Sequence, residues 1–144
     1  MNAYFDTAII LKLYVQEATS SDALRLVSEC RTPYLLTPWQ EIETRNAFHL
    51  KAFRQEITVT EARASRDAFE EDITSGRWKA PEYHEATVWR FARDLSDRHS
   101  EMIGCRTLDL LHVAAALSLG VKTFVTFDER QRAVAKLEGL TVKP

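Results

Sequence analysis

Residues 104–131, GCRTLDLLHVAAALSLGVKTFVTFDERQ, limit the folds open to this chain more than any other stretch. They read as a turn, an almost wholly apolar helix, a stop at Gly120, a short strand Thr123-Phe124-Val125-Thr126, and a second helix start. A helix that is apolar nearly all round has to be buried, and glycine just past its end supplies the left-handed residue that closes it. A buried helix feeding a strand and then another helix belongs to a layered α/β architecture. Two carboxylates fall at telling places: Asp109 in the first turn of the apolar helix, and Asp128 just past the strand. Sites in open α/β sheets collect outside the carboxyl ends of the strands.

At 144 residues the chain is read as one domain, residues 1–144. A domain of that size buries roughly 70% of its unfolded surface and can carry a core without staples. A composition of 45% hydrophobic and 28% charged residues is that of an ordinary globular protein. The net charge of -2 argues against a strongly basic nucleic-acid binder but leaves room for a local basic patch. Cys30 and Cys105 have no zinc spacing, so a reduced, cytoplasmic setting is expected. The start MNAYFDTAIILKLY lacks a basic leader region. No apolar run approaches the ~20 residues of a membrane helix, so no membrane partner is expected.

Taken in order, Ala3-Tyr4-Phe5 reads as a strand ending at Asp6, with a helix opening at Thr7. A helix over residues 21–29 is expected to turn Ala23, Leu24 and Val27 inward. Residues 34–36 read as a second strand. Thr37-Pro38-Trp39-Gln40 is a helix start with a capping box and proline in the first turn. The helix over residues 38–55 carries an apolar stripe of Trp39, Ile42, Ala47, Leu50 and Phe53. Its Glu41 faces Arg45 one turn on, a solvated pair. A mostly exposed helix follows to about residue 73. Residues 77–80 read as an edge strand, residues 81–99 as an amphipathic helix, and residues 140–142 as a last strand. The alternation predicts an α/β fold with a mostly parallel sheet.

Four acids stand out, each with a plainer reading beside it. Asp6 ends the first strand, where a turn or cap aspartate is equally ordinary. Asp128-Glu129-Arg130-Gln131 is itself a capping-box pattern. Asp109 complements a helix dipole, though its apolar helix withdraws it from water. Glu43 shares a face with Trp39, Ala47 and Leu50, where a carboxylate is costly unless paired or metal-bound. All four can gather at one sheet edge. Together and unescorted they would repel and their pKa values would rise. A hard divalent ion removes that conflict, and oxygen-only ligands suit Mg2+, with Mn2+ able to substitute. Such a site points to phosphodiester hydrolysis, with phosphomonoester hydrolysis as a competitor.

The chain resembles PIN-domain proteins, and within them VapC-type toxin ribonucleases, over nearly its whole length. The resemblance rests on Tyr4-Phe5-Asp6-Thr7 with Leu11-Lys12-Leu13-Tyr14, on Glu43-Thr44-Arg45-Asn46-Ala47, on residues 106–116 (RTLDLLHVAAA), on residues 126–131 (TFDERQ), and on Gly139-Leu140-Thr141-Val142. It implies a three-layer α/β/α fold with a parallel sheet of about five strands. It implies that Asp6, Glu43, Asp109 and Asp128 form the metal-binding and catalytic set. It also implies RNA as substrate, a homodimer, and a VapB-type antitoxin whose segment covers the site. One departure is Ala8, where the family often has serine; Thr7 or Thr126 then has to supply the polar support.

The remaining residues divide between two readings. His112 lies one turn after Asp109 and reads better as a hydrogen-bonded core histidine than as a ligand or base. Lys12 leans toward the acids or toward phosphate, or is simply solvated. Arg45, Lys51 and Arg54, with Arg63 and Arg66, form either a basic rim for RNA or ordinary surface charge. The acidic pocket is expected to lack a basic residue of its own, which invites a cationic plug from an antitoxin. The leading expectation is a Mg2+/Mn2+-dependent endoribonuclease toxin. A non-catalytic RNA- or protein-binding domain on the same fold is the alternative. A phosphatase of another α/β fold stands third.

Overall fold

In the computed structural model, which describes residues 2–144, short apolar strands alternate with helices as the pattern predicts. In chain order the elements are β1 (Ala3–Phe5), α1 (Thr7–Lys12), α2 (Ser20–Ser28), β2 (Tyr34–Leu35), α3 (Pro38–Phe53), α4 (Val59–Thr74) and β3 (Trp78–Lys79). There follow α5 (Glu85–Leu95), a π-helical turn Ser96–Ser100, α6 (Glu101–Ile103), α7 (Thr107–Ser118), β4 (Thr123–Val125), α8 (Glu129–Leu137) and β5 (Thr141–Lys143). Contacts divide the chain into two compact units. One joins the residues up to Asp6 with Pro81–Pro144; the other is Thr7–Ala80.

The first unit is built on a parallel sheet of order β1-β4-β5. Tyr4 pairs in register with Phe124, and Phe124 with Val142. Tyr4, Phe5, Phe124 and Val125 are completely buried, as strands of a covered parallel sheet should be. The Tyr4 and Phe124 rings stack at 5.5 Å. α7 is buried continuously from Asp109 to Ala116, which fulfils the reading of an all-round apolar helix. α5 packs along α7, and α8 packs on α7 and β5. Gly120 closes α7 at φ 65°, with Gly120 N donating to Leu117 O and Val121 N to Ala116 O. That pair of bonds satisfies two end carbonyls in a Schellman motif.

The second unit pairs β2 with β3, also parallel, and packs α1 on α3 and α3 on α4. Its core is aromatic. Tyr14 lies 5.3 Å from Phe69, and Tyr34 5.1 Å from Trp78. Trp78 Nε1 donates to the Tyr14 hydroxyl at 2.7 Å, which donates to Asp72 at 2.6 Å. Burial first, and then Asp72, raise the Tyr14 phenol above its usual pKa.

Several expectations are corrected in detail. The five strands all pair in parallel, but as a three-stranded sheet and a separate pair. α5 begins at Glu85 rather than residue 81. Leu24 is half exposed and Leu26 is buried in its place. The largest correction concerns α3. Ile42, Leu50 and Phe53 are exposed, while Gln40, Thr44 and Phe48 line the buried face. The predicted capping box explains the rotation. Gln40 turns back so that Oε1 accepts from Thr37 N at 2.7 Å, and Phe48, two turns on, enters the aromatic core beside Phe69.

Candidate active site

Asp6 and Thr126 stand at the carboxyl ends of neighbouring parallel strands. Asp6 N continues the ladder to Val125 O at 3.1 Å, and Thr126 N reaches Lys143 O at 2.9 Å. Their side chains meet, with Thr126 Oγ1 donating to Asp6 Oδ2 at 2.5 Å. The same hydroxyl oxygen accepts from Asp128 N at 2.9 Å. Asp128 caps α8 as predicted, its Oδ1 accepting from Arg130 N and Gln131 N at 2.9 Å each. The other half of that capping box does not form, because the Gln131 side chain is used elsewhere: its Nε2 donates to Asp109 Oδ1 at 3.1 Å. Asp109 Oδ2 in turn accepts from Arg106, through the backbone N at 3.1 Å and Nε at 3.2 Å. A guanidinium has no acceptor, so only the reverse half of a capping box exists at the start of α7. One hydrogen-bonded series therefore runs from Asp6 through Thr126, Asp128, Gln131 and Asp109 to Arg106.

Asp6 and Asp109 are almost completely buried, and Asp128 is half-buried. Burial alone would raise the Asp109 pKa. The hydrogen bonds from Arg106 and Gln131 outweigh it and hold the carboxyl below its ordinary range. Cys105 is pushed the other way, by burial and then by the charges of Asp109 and Asp128, so its thiol stays protonated at neutral pH. The expectation that the acids have no basic residue of their own is corrected by Arg106.

Glu43 and Thr7 belong to the second unit, where Thr7 Oγ1 donates to Glu43 Oε2 at 2.8 Å. Glu43 is half-buried, but the stripe it was read against is not the buried face of α3. His112 is buried, and its Nδ1 meets the Tyr4 hydroxyl at 3.0 Å, as expected of a core histidine. Lys12 and Lys51 both pair with Glu17, and Lys51 also with Glu56 at 2.8 Å. Arg45 bonds Glu41 at 3.1 Å and also Glu70. Arg54 is exposed. Arg106 and Gln131 are the site residues that the sequence reading passed over.

A family model for the PIN domain matches residues 3–137, across both units. The chain belongs to the PIN domain family. No curated protein matches it. The PIN fold is typically a nuclease fold, PIN domains are generally metal-dependent nucleases, and PIN nucleases bind RNA. Among the described residues no helix is long and apolar enough to cross a membrane.

The donors of this PIN domain suit a hard divalent ion by chemistry. They are carboxylate oxygens together with Gln131 Oε1, a buried acceptor with no partner. Among the described residues no three His, Cys, Asp or Glu side chains are grouped to hold one.

Proposed function

We propose that this chain is a Mg2+-dependent endoribonuclease, with Mn2+ able to substitute, and the toxin of a VapC-type toxin–antitoxin pair. The observation that carries the nuclease reading is the hydrogen-bonded series linking Asp6 and Asp128, just past the carboxyl ends of two parallel strands, to Asp109 in the first turn of α7. Asp6, Asp109 and Asp128 are the metal-binding and catalytic carboxylates of this reading. Glu43 is included on the family motif alone, with Thr7 as its support. Asp6, Asp109 and Asp128 would hold a hard divalent ion, which when bound would supply charge neutralisation for a phosphate and a lowered pKa for an attacking water. The chain's own residues prepare for this. Thr126 orients Asp6, Gln131 orients Asp109, and the start of α8 orients Asp128. The depressed pKa of Asp109 keeps it ionised at neutral pH. The VapB-type antitoxin and the homodimer follow from the motif resemblance and share its support, while the cytoplasmic setting rests on two cysteines without zinc spacing.

The test is cleavage of a mixed cellular RNA by the purified chain in Mn2+ or in EDTA, beside Asp6→Asn and Asp109→Asn. Metal-dependent products absent from both variants are expected. Wild-type cleavage by both variants would remove the assignment. A second reading, a non-catalytic RNA- or protein-binding domain, draws on the fact that both Asp109 oxygens already have protein partners. That reading requires RNA or partner binding to be indifferent to EDTA.

A further inference from the structure

The Arg106–Asp109 pair is lopsided. The carboxylate side chain is 4% exposed and the arginine side chain 70% exposed. A buried carboxylate needs a counter-charge. An exposed guanidinium can leave at small cost, because water takes over its solvation and the pair is screened. Its departure would not strand the carboxylate, since Arg106 N still donates to Oδ2 and Gln131 Nε2 to Oδ1. The second observation is independent of the ion pair. Gln131 is 7% exposed, and its Oε1 is buried without a partner, on the same amide that grips Asp109. A buried acceptor left open next to a carboxylate is an oxygen ligand that a hard cation can use.

We propose that Arg106 is an exchangeable counter-ion of Asp109: it neutralises the carboxylate when no divalent ion is bound, and an entering Mg2+ or Mn2+ displaces its guanidinium. The inference rests on the metal-site reading given above and adds a competitor built into the chain. Arg106 therefore weakens metal binding while protecting the metal-free site from an uncompensated buried charge. It acts on the site through Asp109 and is a positioning residue.

The test is calorimetric titration of Mn2+ into the metal-stripped chain, comparing wild type, Arg106→Gln, Arg106→Lys and Asp109→Asn. Arg106→Gln is expected to bind Mn2+ roughly three- to tenfold more tightly, as removal of a charge-assisted, partly exposed competitor should allow. Arg106→Lys, which keeps the charge, should stay within about twofold of wild type. Asp109→Asn should lose most of the affinity. If Arg106→Gln binds no more tightly while Asp109→Asn binds weakly, the inference fails and the metal reading stands. If Asp109→Asn binds as wild type does, both fail. A measurement on the wild-type chain covers misfolding of the variant. Solvent exchange of the Arg106 Nε–H, followed by nuclear magnetic resonance, should quicken on adding Mg2+, and exchange unchanged at saturating Mg2+ would overturn the displacement.

Discussion

Thr126 gives its hydroxyl proton to Asp6 at 2.5 Å and takes the Asp128 N–H on the same oxygen at 2.9 Å. Thr126 and Asp6 are both essentially unexposed, so water cannot replace the bond between them. Thr126→Val keeps the shape and takes one partner each from the buried Asp6 carboxylate and the part-buried Asp128 N–H. It should destabilise the protein by about 1–3 kcal/mol and lower RNA cleavage roughly tenfold or more through misplacement of Asp6. Thr126→Ser should restore most of both. Urea unfolding and Mn2+-dependent cleavage, measured on the same preparations, check this. A valine variant as stable and active as wild type would show the hydroxyl to be incidental.

Asp109 gives a pH dependence whose sign is fixed by its partners. Burial raises its pKa, but Arg106 and Gln131 more than reverse this, so the folded value lies below the unfolded one. The stabilisation is therefore fully present above the unfolded aspartate pKa of about 3.9. It is lost as pH falls through the depressed folded value. Urea unfolding in EDTA between pH 6 and pH 3 should show stability dropping toward the acid end, and Asp109→Asn should flatten that part of the curve. An unchanged slope in the variant would mean that other carboxylates carry the acid sensitivity.

The basic residues singled out for RNA are not equivalent. Lys51 is held by Glu17 and Glu56, Lys12 by Glu17, and Arg45 by Glu41 and Glu70. Hydrogen bonds from Lys12 and Lys51 keep Glu17 ionised against the upward pull of burial. Arg54 is exposed and makes no ion pair among the described residues. Arg54→Ala should reduce the salt slope of RNA binding by about one unit, whereas Lys51→Ala and Arg45→Ala should change it less. Fluorescence anisotropy in EDTA across a salt series separates them. Equal losses for all three variants would show that RNA pulls the lysines and arginines off their carboxylates.

The fold was legible where one residue decides the local geometry. The buried α7, the Gly120 stop, the Thr37 capping box and the Asp128 cap all follow from short-range rules. The face of α3 was not, because counting apolar residues puts Ile42 and Phe53 inside. The cap instead turns Gln40 inward and the aromatic cluster claims Phe48. The division of the strands was also hidden, since β2 and β3 are two residues each and their pairing is non-local. At the site, Asp6, Asp109 and Asp128 could be named from their positions at strand and helix ends. Gln131 could not, because its bond to Asp109 spans 22 positions and its place in a capping-box pattern suggested a different use. Arg106 carried a readable signal, an arginine three residues before a first-turn aspartate. Reading the acids as an unescorted group concealed it.

Gln131 supplies the last prediction, in which stability and metal binding are read apart. Its Nε2 bond to the ionised Asp109 favours the fold by about 1.5–3 kcal/mol, and its orphaned Oε1 costs about 1–3 kcal/mol. Gln131→Leu removes both at similar volume but leaves the buried Asp109 Oδ1 without its donor, so stability in EDTA should fall by about 1–3 kcal/mol. Metal binding should not be neutral, because Asp109 loses the donor that orients it and the site loses a hard oxygen. Mn2+ affinity should fall roughly tenfold, and Gln131→Glu, which keeps an oxygen there and adds charge, should recover much of it. Calorimetry with Mn2+ beside urea unfolding reads the two effects separately. A leucine variant that loses stability but keeps its Mn2+ affinity would assign Gln131 to the core and not to the site.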